Sequence, residues 1–353
     1  MKMEKFFAPS YARLRPFREN KPGQAFPLYP HLVEKLLAAH AKPDSPPDST
    51  VAHVLATCSG YGYADGDLVA TMMARLGLGE NSCLTLSETV DAMLICSTAH
   101  LVQSRCGRVI ILCYRGTEPV NLISWLTDLD VHPEKVSLVP GQSPVMVHAG
   151  FHRNVRSTRF EVAQALRVAL SGKSLLDGHD LAHPLEALYV TGHSQGGALA
   201  ALFALMTLTN PDYRPIADAI RAVYTFGQPM IACPPLPSVC ASSGPLGQMT
   251  FRYIYRKDVV PALPPTASGD FQHFGREYRF EGDGAGEAEW RPQSSAEDQV
   301  TSVLEIPLAV SAFFSDQLKW FRRASLRYSI DDHIPTHYID ALRPKDQLSE
   351  FGD

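Results

Sequence analysis

The run Gly192-His193-Ser194-Gln195-Gly196 constrains this chain more than any other, because of what stands on either side of it. Ahead of it, Ala187-Leu188-Tyr189-Val190-Thr191 has the apolar, β-branched character of a buried strand, and behind it Gly197 to Leu208 is an apolar helix-like run. A bare G-x-S-x-G string is a weak signal. Between a strand and a helix, however, it reads as a sharp turn that lifts a serine hydroxyl clear of the end of a sheet. The flanking glycines have a steric reason, since residues without a Cβ relieve the crowding of a tight strand-to-helix turn. The helix that begins after Ser194 also directs its positive N-terminal end at that hydroxyl.

At 353 residues, 45% hydrophobic and 20% charged, the chain can bury a full core as one large domain. The net charge of -5, without a clustered basic face, excludes a nucleic-acid footprint. The first residues mix Lys2, Lys5, Arg13, Arg15 and Arg18 with Glu4 and Pro16 and contain no apolar core of a signal peptide. The nearest approach to a membrane span, Ile306 to Phe314, is too short. Seven cysteines, an odd number without C-x-x-C spacing, read as buried reduced thiols. Together these features predict a soluble, cytoplasmic chain.

Residues 1–90 are expected to form an N-terminal helical extension, with an amphipathic run from His31 to Ala41, a Pro/Asp/Ser linker, and helical spacing at Val51 to Cys58 and Asp67 to Leu76. Residues 91–345 are expected to form the core. Ala92 to Val102 and Arg108 to Tyr114 read as a β-hairpin around Cys106-Gly107, and further strands fall at Ala222 to Phe226 and Thr250 to Tyr255. Val155, Val162, Leu166 and Leu170 mark one face of a helix ahead of the Ser194 strand. This alternation predicts an α/β fold, a mostly parallel central sheet flanked by helices, with its active site at the carboxyl ends of the strands. A Gly-, Glu- and Ser-rich stretch from Gly282 predicts an exposed insertion, the start of a cap over about 282–328.

A serine hydroxyl attacks only if a base takes its proton and an acid orients that base. Asp258, in Arg256-Lys257-Asp258-Val259-Val260-Pro261 just past a strand, is the leading acid; a surface aspartate paired with Arg256 or Lys257 is the alternative. Three histidines follow it. His273 lies immediately before the strand-like Glu277 to Phe280, a place suited to packing, whereas His333 lies on a loop ahead of the final helix-like run. His333 and His337 also have the i, i+4 spacing of a metal pair beside Asp331 and Asp332, but Pro335 disturbs the helix such a pair needs, so neither metal nor cofactor is expected.

Seven pieces in series give the chain a resemblance to the class 3 lipases, a family of the α/β-hydrolase superfamily. Tyr114-Arg115-Gly116-Thr117 with Trp125-Leu126-Thr127-Asp128-Leu129, and His148-Ala149-Gly150-Phe151, are similar to the family's F-R-G-[ST]…W-x-x-D-L and H-x-G-F. Gly192 to Ala200 resembles G-H-S-L-G-G-A-L-A, and Phe226-Gly227-Gln228-Pro229 resembles F-G-x-P. Asp258-Val259-Val260-Pro261, His273-Phe274-Gly275 and Asp332-His333 with Tyr338 resemble D-x-V-P, H-x-G and D-H…Y. The span covered is about 92 to 342. The resemblance implies Ser194 as nucleophile, Asp258 as acid and His333, not His273, as base. It further implies an oxyanion hole from Thr117, by its backbone N–H and hydroxyl, and from the backbone N–H of Gln195, which stands where the family has leucine.

Pro119 to Val131 corresponds to the family's lid, and Leu308 to Tyr328 has an apolar face and a basic end suited to a cap helix or an anionic lipid surface. The expected activity is hydrolysis of acyl esters of acylglycerols or phospholipids through an acyl-enzyme, with transient contact to a lipid interface. The alternatives are a non-catalytic lipase-like scaffold and an acyltransferase using the same triad.

Overall fold

The computed structural model describes residues 1–14, 26–39, 45–90, 95–117, 132–138, 143–281, 289–293 and 329–345. The expected lid at 119–131 and cap helix at 308–328 lie outside the described residues.

The scaffold is a nine-stranded sheet in the order β1-β2-β3-β4-β7-β8-β10-β11-β12. Its first half comprises β1 (Lys2–Phe7), β2 (Ser82–Val90), β3 (Ile95–Gln103) and β4 (Val109–Tyr114), and its second β7 (Ala187–His193), β8 (Ile220–Phe226), β10 (Thr250–Tyr255), β11 (Arg276–Glu281) and β12 (Glu289–Gln293). β5 (Pro133–Val136), β6 (Val145–His148) and β9 (Ala232–Cys233) form a small separate sheet. The five strands β4, β7, β8, β10 and β11 run parallel. Both flanks are antiparallel, so the sheet is mixed with a parallel centre. The centre is parallel because its strands carry apolar residues on both faces: every residue of β4 and β7 is buried, as strands covered by helices on either side require.

Those helices are α1 (Leu32–Ala38), α2 (Ser49–Tyr61), α3 (Gly66–Leu76), α4 (Ala149–Leu170), α5 (Gln195–Thr209), α6 (Arg214–Ala219), α7 (Pro245–Met249) and α8 (Pro335–Leu342). One core unites one sheet face with α4 and α5, through Phe151, Val162, Leu199, Phe203 and Leu112. A second unites the opposite face with α1, α2, α3 and α8, through Leu36, Leu55, Met72, Tyr189 and Ile339. α5 is apolar around its whole circumference and buried along its length, as a helix wedged between sheet and α4 must be.

The N-terminal stretch is more than a helical extension. Its strands β1 and β2 enlarge the sheet, with Lys2 opposite Ser87 and Phe7 opposite Ser82, and α2 and α3 start on the side chains of Asp48 and Asp65, which accept the free N–H groups of the first turns. Likewise, the described part of the expected cap, residues 289–293, is edge strand β12, paired with β11.

Candidate active site

Ser194 sits between β7 and α5 with φ 58° and ψ -131°, a backbone conformation that costs a non-glycine residue on the order of 1–3 kcal/mol. Close packing enforces it. A Cβ on Gly196 would lie 2.1 Å from the Tyr114 carbonyl oxygen, and one on Gly192 would lie 2.3 Å from the Gly196 carbonyl. The Ser194 N–H donates to the Phe226 carbonyl at 2.9 Å, and the Ser194 carbonyl accepts from Gly197 and Ala198, so the turn is tied to β8 and to its own helix. The hydroxyl is fully buried and has no hydrogen-bond partner among the described residues.

Asp258 follows β10 by three residues, and His333 ends a short 3-10 turn, Asp331–His333. The main chain sews the two loops together: Ser329 N–H donates to the Lys257 carbonyl, Val259 N–H to the Ser329 carbonyl, and Lys257 N–H to Asp332 Oδ2. As a result His333 Nδ1–H donates to Asp258 Oδ2 at 2.8 Å, with Asp258 fully buried. Tyr338 on α8 donates its hydroxyl to the same oxygen, and Val260 N–H donates to Oδ1 at 2.9 Å. Three donors thus converge on the buried carboxylate and fix its orientation. Since Nδ1 carries the proton, the His333 lone pair is on Nε2, which is buried and without a partner among the described residues.

The structure therefore brings Asp258 and His333 together and takes the other histidines elsewhere. His273 Nε2–H donates to the Pro261 carbonyl at 2.8 Å; burial, and then the charge of Arg252, push its pKa well below the ordinary value, so it is a neutral packing residue. His337 stacks on Tyr255 with ring centroids 5.1 Å apart.

Four residues here carried no role in the sequence reading. His193 Nε2–H donates to the His333 carbonyl at 2.7 Å, which leaves Nδ1 to accept from the Tyr63 hydroxyl at 2.8 Å. Its ring lies 4.5 Å from that of His333. Burial, and beyond it the neighbouring His333, hold the His193 pKa well below the ordinary value and keep the ring neutral. Tyr63 lies between α2 and α3, and no local signal marks it. Gly227 has φ 58°, and a Cβ there would lie 2.7 Å from Asp258 Oδ2 and 2.8 Å from His333 Nδ1; its signal was the Phe226-Gly227-Gln228-Pro229 string, just as that of Tyr338 was its place after Asp332-His333.

Thr117 follows β4, whose C-terminal residue Tyr114 pairs with Gly192. Its hydroxyl donates to Gln195 Oε1 at 2.5 Å. The Gln195 N–H is at the first position of α5 and so is one of the donors a helix leaves without an acceptor in the helix.

Residues 111–268 match the class 3 lipase family model. A lipase of Rhizomucor miehei is 28% identical over 195 residues, which cover 55% of this chain and 48% of that protein. The secreted mono- and diacylglycerol lipase 1 of Fusarium solani is 26% identical over 185 residues, 52% of this chain and 47% of that protein. The chain thus spans about half the length of these curated relatives. Among solved structures, the Rhizomucor miehei lipase propeptide complex superposes with a TM-score of 0.54 at 20% identity, over 80% of this chain and 78% of that one. The fold is accordingly that of the α/β-hydrolases. The cytoplasmic placement expected from the sequence is overturned by the same relatives, one named as secreted and one solved with its propeptide, which point outside the cell. The cysteine pattern behind that expectation does not bind it to one compartment, because five of the seven free thiols are buried, where the redox state outside the fold has little access to them.

Proposed function

We propose, from the match of residues 111–268 to the class 3 lipase family model, that the chain is a serine carboxylic-ester hydrolase acting on acyl esters of lipids, acylglycerols or phospholipids, through an acyl-enzyme. One observation carries the reading. A carboxylate-bonded histidine with a buried Nε2 and a strained, buried serine hydroxyl, neither atom bonded among the described residues, occur together at the carboxyl ends of the sheet's parallel central strands.

In the proposed reaction Ser194 Oγ attacks the ester carbonyl carbon while His333 Nε2 takes its proton, and Asp258 stabilises the imidazolium that results. The carbonyl oxygen gains the negative charge, which the N–H of Gln195, the N–H and hydroxyl of Thr117, and the positive end of α5 receive. Collapse of the tetrahedral intermediate breaks the C–O bond to the leaving alcohol, which takes the proton from His333. Water then repeats the sequence on the acyl-enzyme and frees the acid. An alcohol in place of water gives acyl transfer by the same residues, whereas a non-catalytic scaffold has no use for a strained, buried serine hydroxyl.

The test is an ester chain-length panel, with diacylglycerol and phospholipid included, run on the parent and on Ser194→Ala. The parent is expected to turn over acyl esters and to react with a fluorophosphonate probe, and Ser194→Ala to do neither. Undiminished labelling or turnover by the variant overturns the reading.

A further inference from the structure

The side chain of Gln195 carries a consequence beyond its backbone donor. It is half-buried, and it reaches back from the start of α5 to accept the Thr117 hydroxyl proton on Oε1. A threonine hydroxyl has a single proton to give. While Gln195 holds that proton Thr117 has none for an oxyanion, so the observed bond and the donor role proposed above are alternative states of one O–H group. The carboxamide can serve both. Its two ends have nearly the same shape and opposite hydrogen-bonding sense, so a half-turn about its terminal torsion presents Nε2–H where Oε1 had been. Gln195 then donates to Thr117 Oγ1, and the Thr117 O–H is released to the substrate oxygen.

We propose that the Gln195 side chain is a positioning residue that accepts the Thr117 O–H hydrogen bond in the resting enzyme and, by turning over, donates to Thr117 Oγ1 and backs Thr117 as an oxyanion donor. One hydrogen bond at rest becomes two in series once the oxyanion forms, and serial hydrogen bonds polarise one another. The second bond exists only when charge has developed on the substrate oxygen, so the contribution falls on kcat rather than KM. The inference rests on the assignment of Ser194 and Thr117 made under the proposed function. It also gives a physical role to the one departure from the family pattern inside the serine turn, because leucine at this position can neither accept that hydrogen bond nor donate one.

The experiment is steady-state hydrolysis of a soluble short-chain ester by the full chain and by Gln195→Met, Thr117→Val, the double variant, Thr117→Ser and Ser194→Ala, with thermal melts of each. Methionine keeps the volume of glutamine and removes its hydrogen bonds. Thr117→Val is expected to lower kcat about 10- to 1,000-fold, the scale of one lost oxyanion donor. Gln195→Met is expected to lower kcat about 3- to 30-fold with KM within about twofold, as the loss of one neutral backing bond predicts. The double variant should be no slower than Thr117→Val alone to within about twofold, because without the hydroxyl the carboxamide has nothing to position. Thr117→Ser should stay within about fivefold of the parent, since it keeps the hydroxyl.

Parental kcat in Gln195→Met, or in Thr117→Val, overturns the inference. So does a double variant whose loss equals the product of the two single losses, for that is the behaviour of a side chain that only packs. If Gln195→Met does not fold, Gln195→Leu enters the same cycle. Ser194→Ala separates the two levels: turnover surviving in it overturns the underlying assignment, whereas a dead Ser194→Ala with multiplicative Gln195 and Thr117 effects overturns this inference alone.

Discussion

Around Ser194 the structure is set by what is left out, whereas around His333 it is set by what is bonded. The turn at Ser194 exists because Gly192 and Gly196 lack side chains, each hydrogen replacing a Cβ that would press within 2.3 Å of a carbonyl oxygen. The arm that carries Asp258 and His333 is a web of donors and acceptors drawn from β10, α8, the 329–333 segment and His193. The first device is steric and has no partial form. The second is divisible, and each of its bonds can be removed separately. A catalytic serine can thus be held in strain by packing alone, while a base, which must be poised and also change charge, is held by groups that respond to charge.

The sharpest test of that contrast is His333→Ala against His273→Ala. Loss of His333 is expected to lower kcat by about 10⁴-fold or more, like loss of the serine, because members of a triad act as a unit. The His273 change should leave kcat within about threefold and act on the melting temperature, since it removes a buried hydrogen bond of roughly 1 kcal/mol. Activity lost in a folded His273→Ala would reverse the assignment of the arm.

Next comes Gly196→Ala, which adds a single methyl group to the turn. With a backbone oxygen 2.1 Å from the new Cβ, relief requires main-chain movement, and the expected cost is about 3 kcal/mol or more, read as a fall in denaturation midpoint or a failure to fold. An alanine variant with parental stability would show that the turn is not sterically determined.

On the divisible side, Tyr338→Phe removes one of three donors to the Asp258 carboxylate and leaves the ring in place. The expected loss is about 3- to 30-fold in kcat, well short of the triad residues, because the other two donors remain. A loss as deep as that of His333→Ala would show that the web acts as one piece after all.

The smallest expected effect is that of acid. His193 and His273, in or beside the arm, have folded-state pKa values well below the ordinary 6.5, as does His148, at about 3, and His53 and His100, at about 4. In each, burial of the ring is the main cause. The unfolded chain therefore takes up these protons first as the pH falls, so their stability contribution is whole above about 6.5 and is lost progressively below it. Melting temperatures should be flat from pH 9 to 7 on this account and fall from pH 6.5 to 5. A melting temperature that holds steady to pH 5 would mean that these rings are not kept neutral.

The two regions also differ in how far the sequence discloses them. The Ser194 turn is legible because its cause is local: a strand, two glycines and a helix, contiguous from Ala187 to Thr209, define it. The hairpin of β3 and β4 and the helices α2 and α3 are legible for the same reason. The arm is not local. Asp258 and His333 are 75 residues apart, and position alone left His273 open as the base until the resemblance was invoked. Tyr63 is 130 residues from the ring it bonds, and β1 finds its partner β2 some 80 residues on, so neither leaves a periodic trace in its own neighbourhood. The Thr117 hydroxyl shows the same limit at closer range. The sequence names its residue, but the Gln195 carboxamide that accepts its hydrogen bond comes from the turn between β7 and α5.

His193 and Ser194 are consecutive residues, and His193 Nε2 carries the His333 carbonyl. His333, the proposed base, is therefore suspended from the same stretch of chain that presents the Ser194 hydroxyl. A displacement of β7 is passed to both partners, to Ser194 through the chain and to His333 through the His193 bond, while the Asp258 arm ties His333 to β10 as well. The alignment of proton donor and acceptor is in this way partly insulated from movement of that strand, much as two instruments bolted to one bench keep their aim when the floor moves.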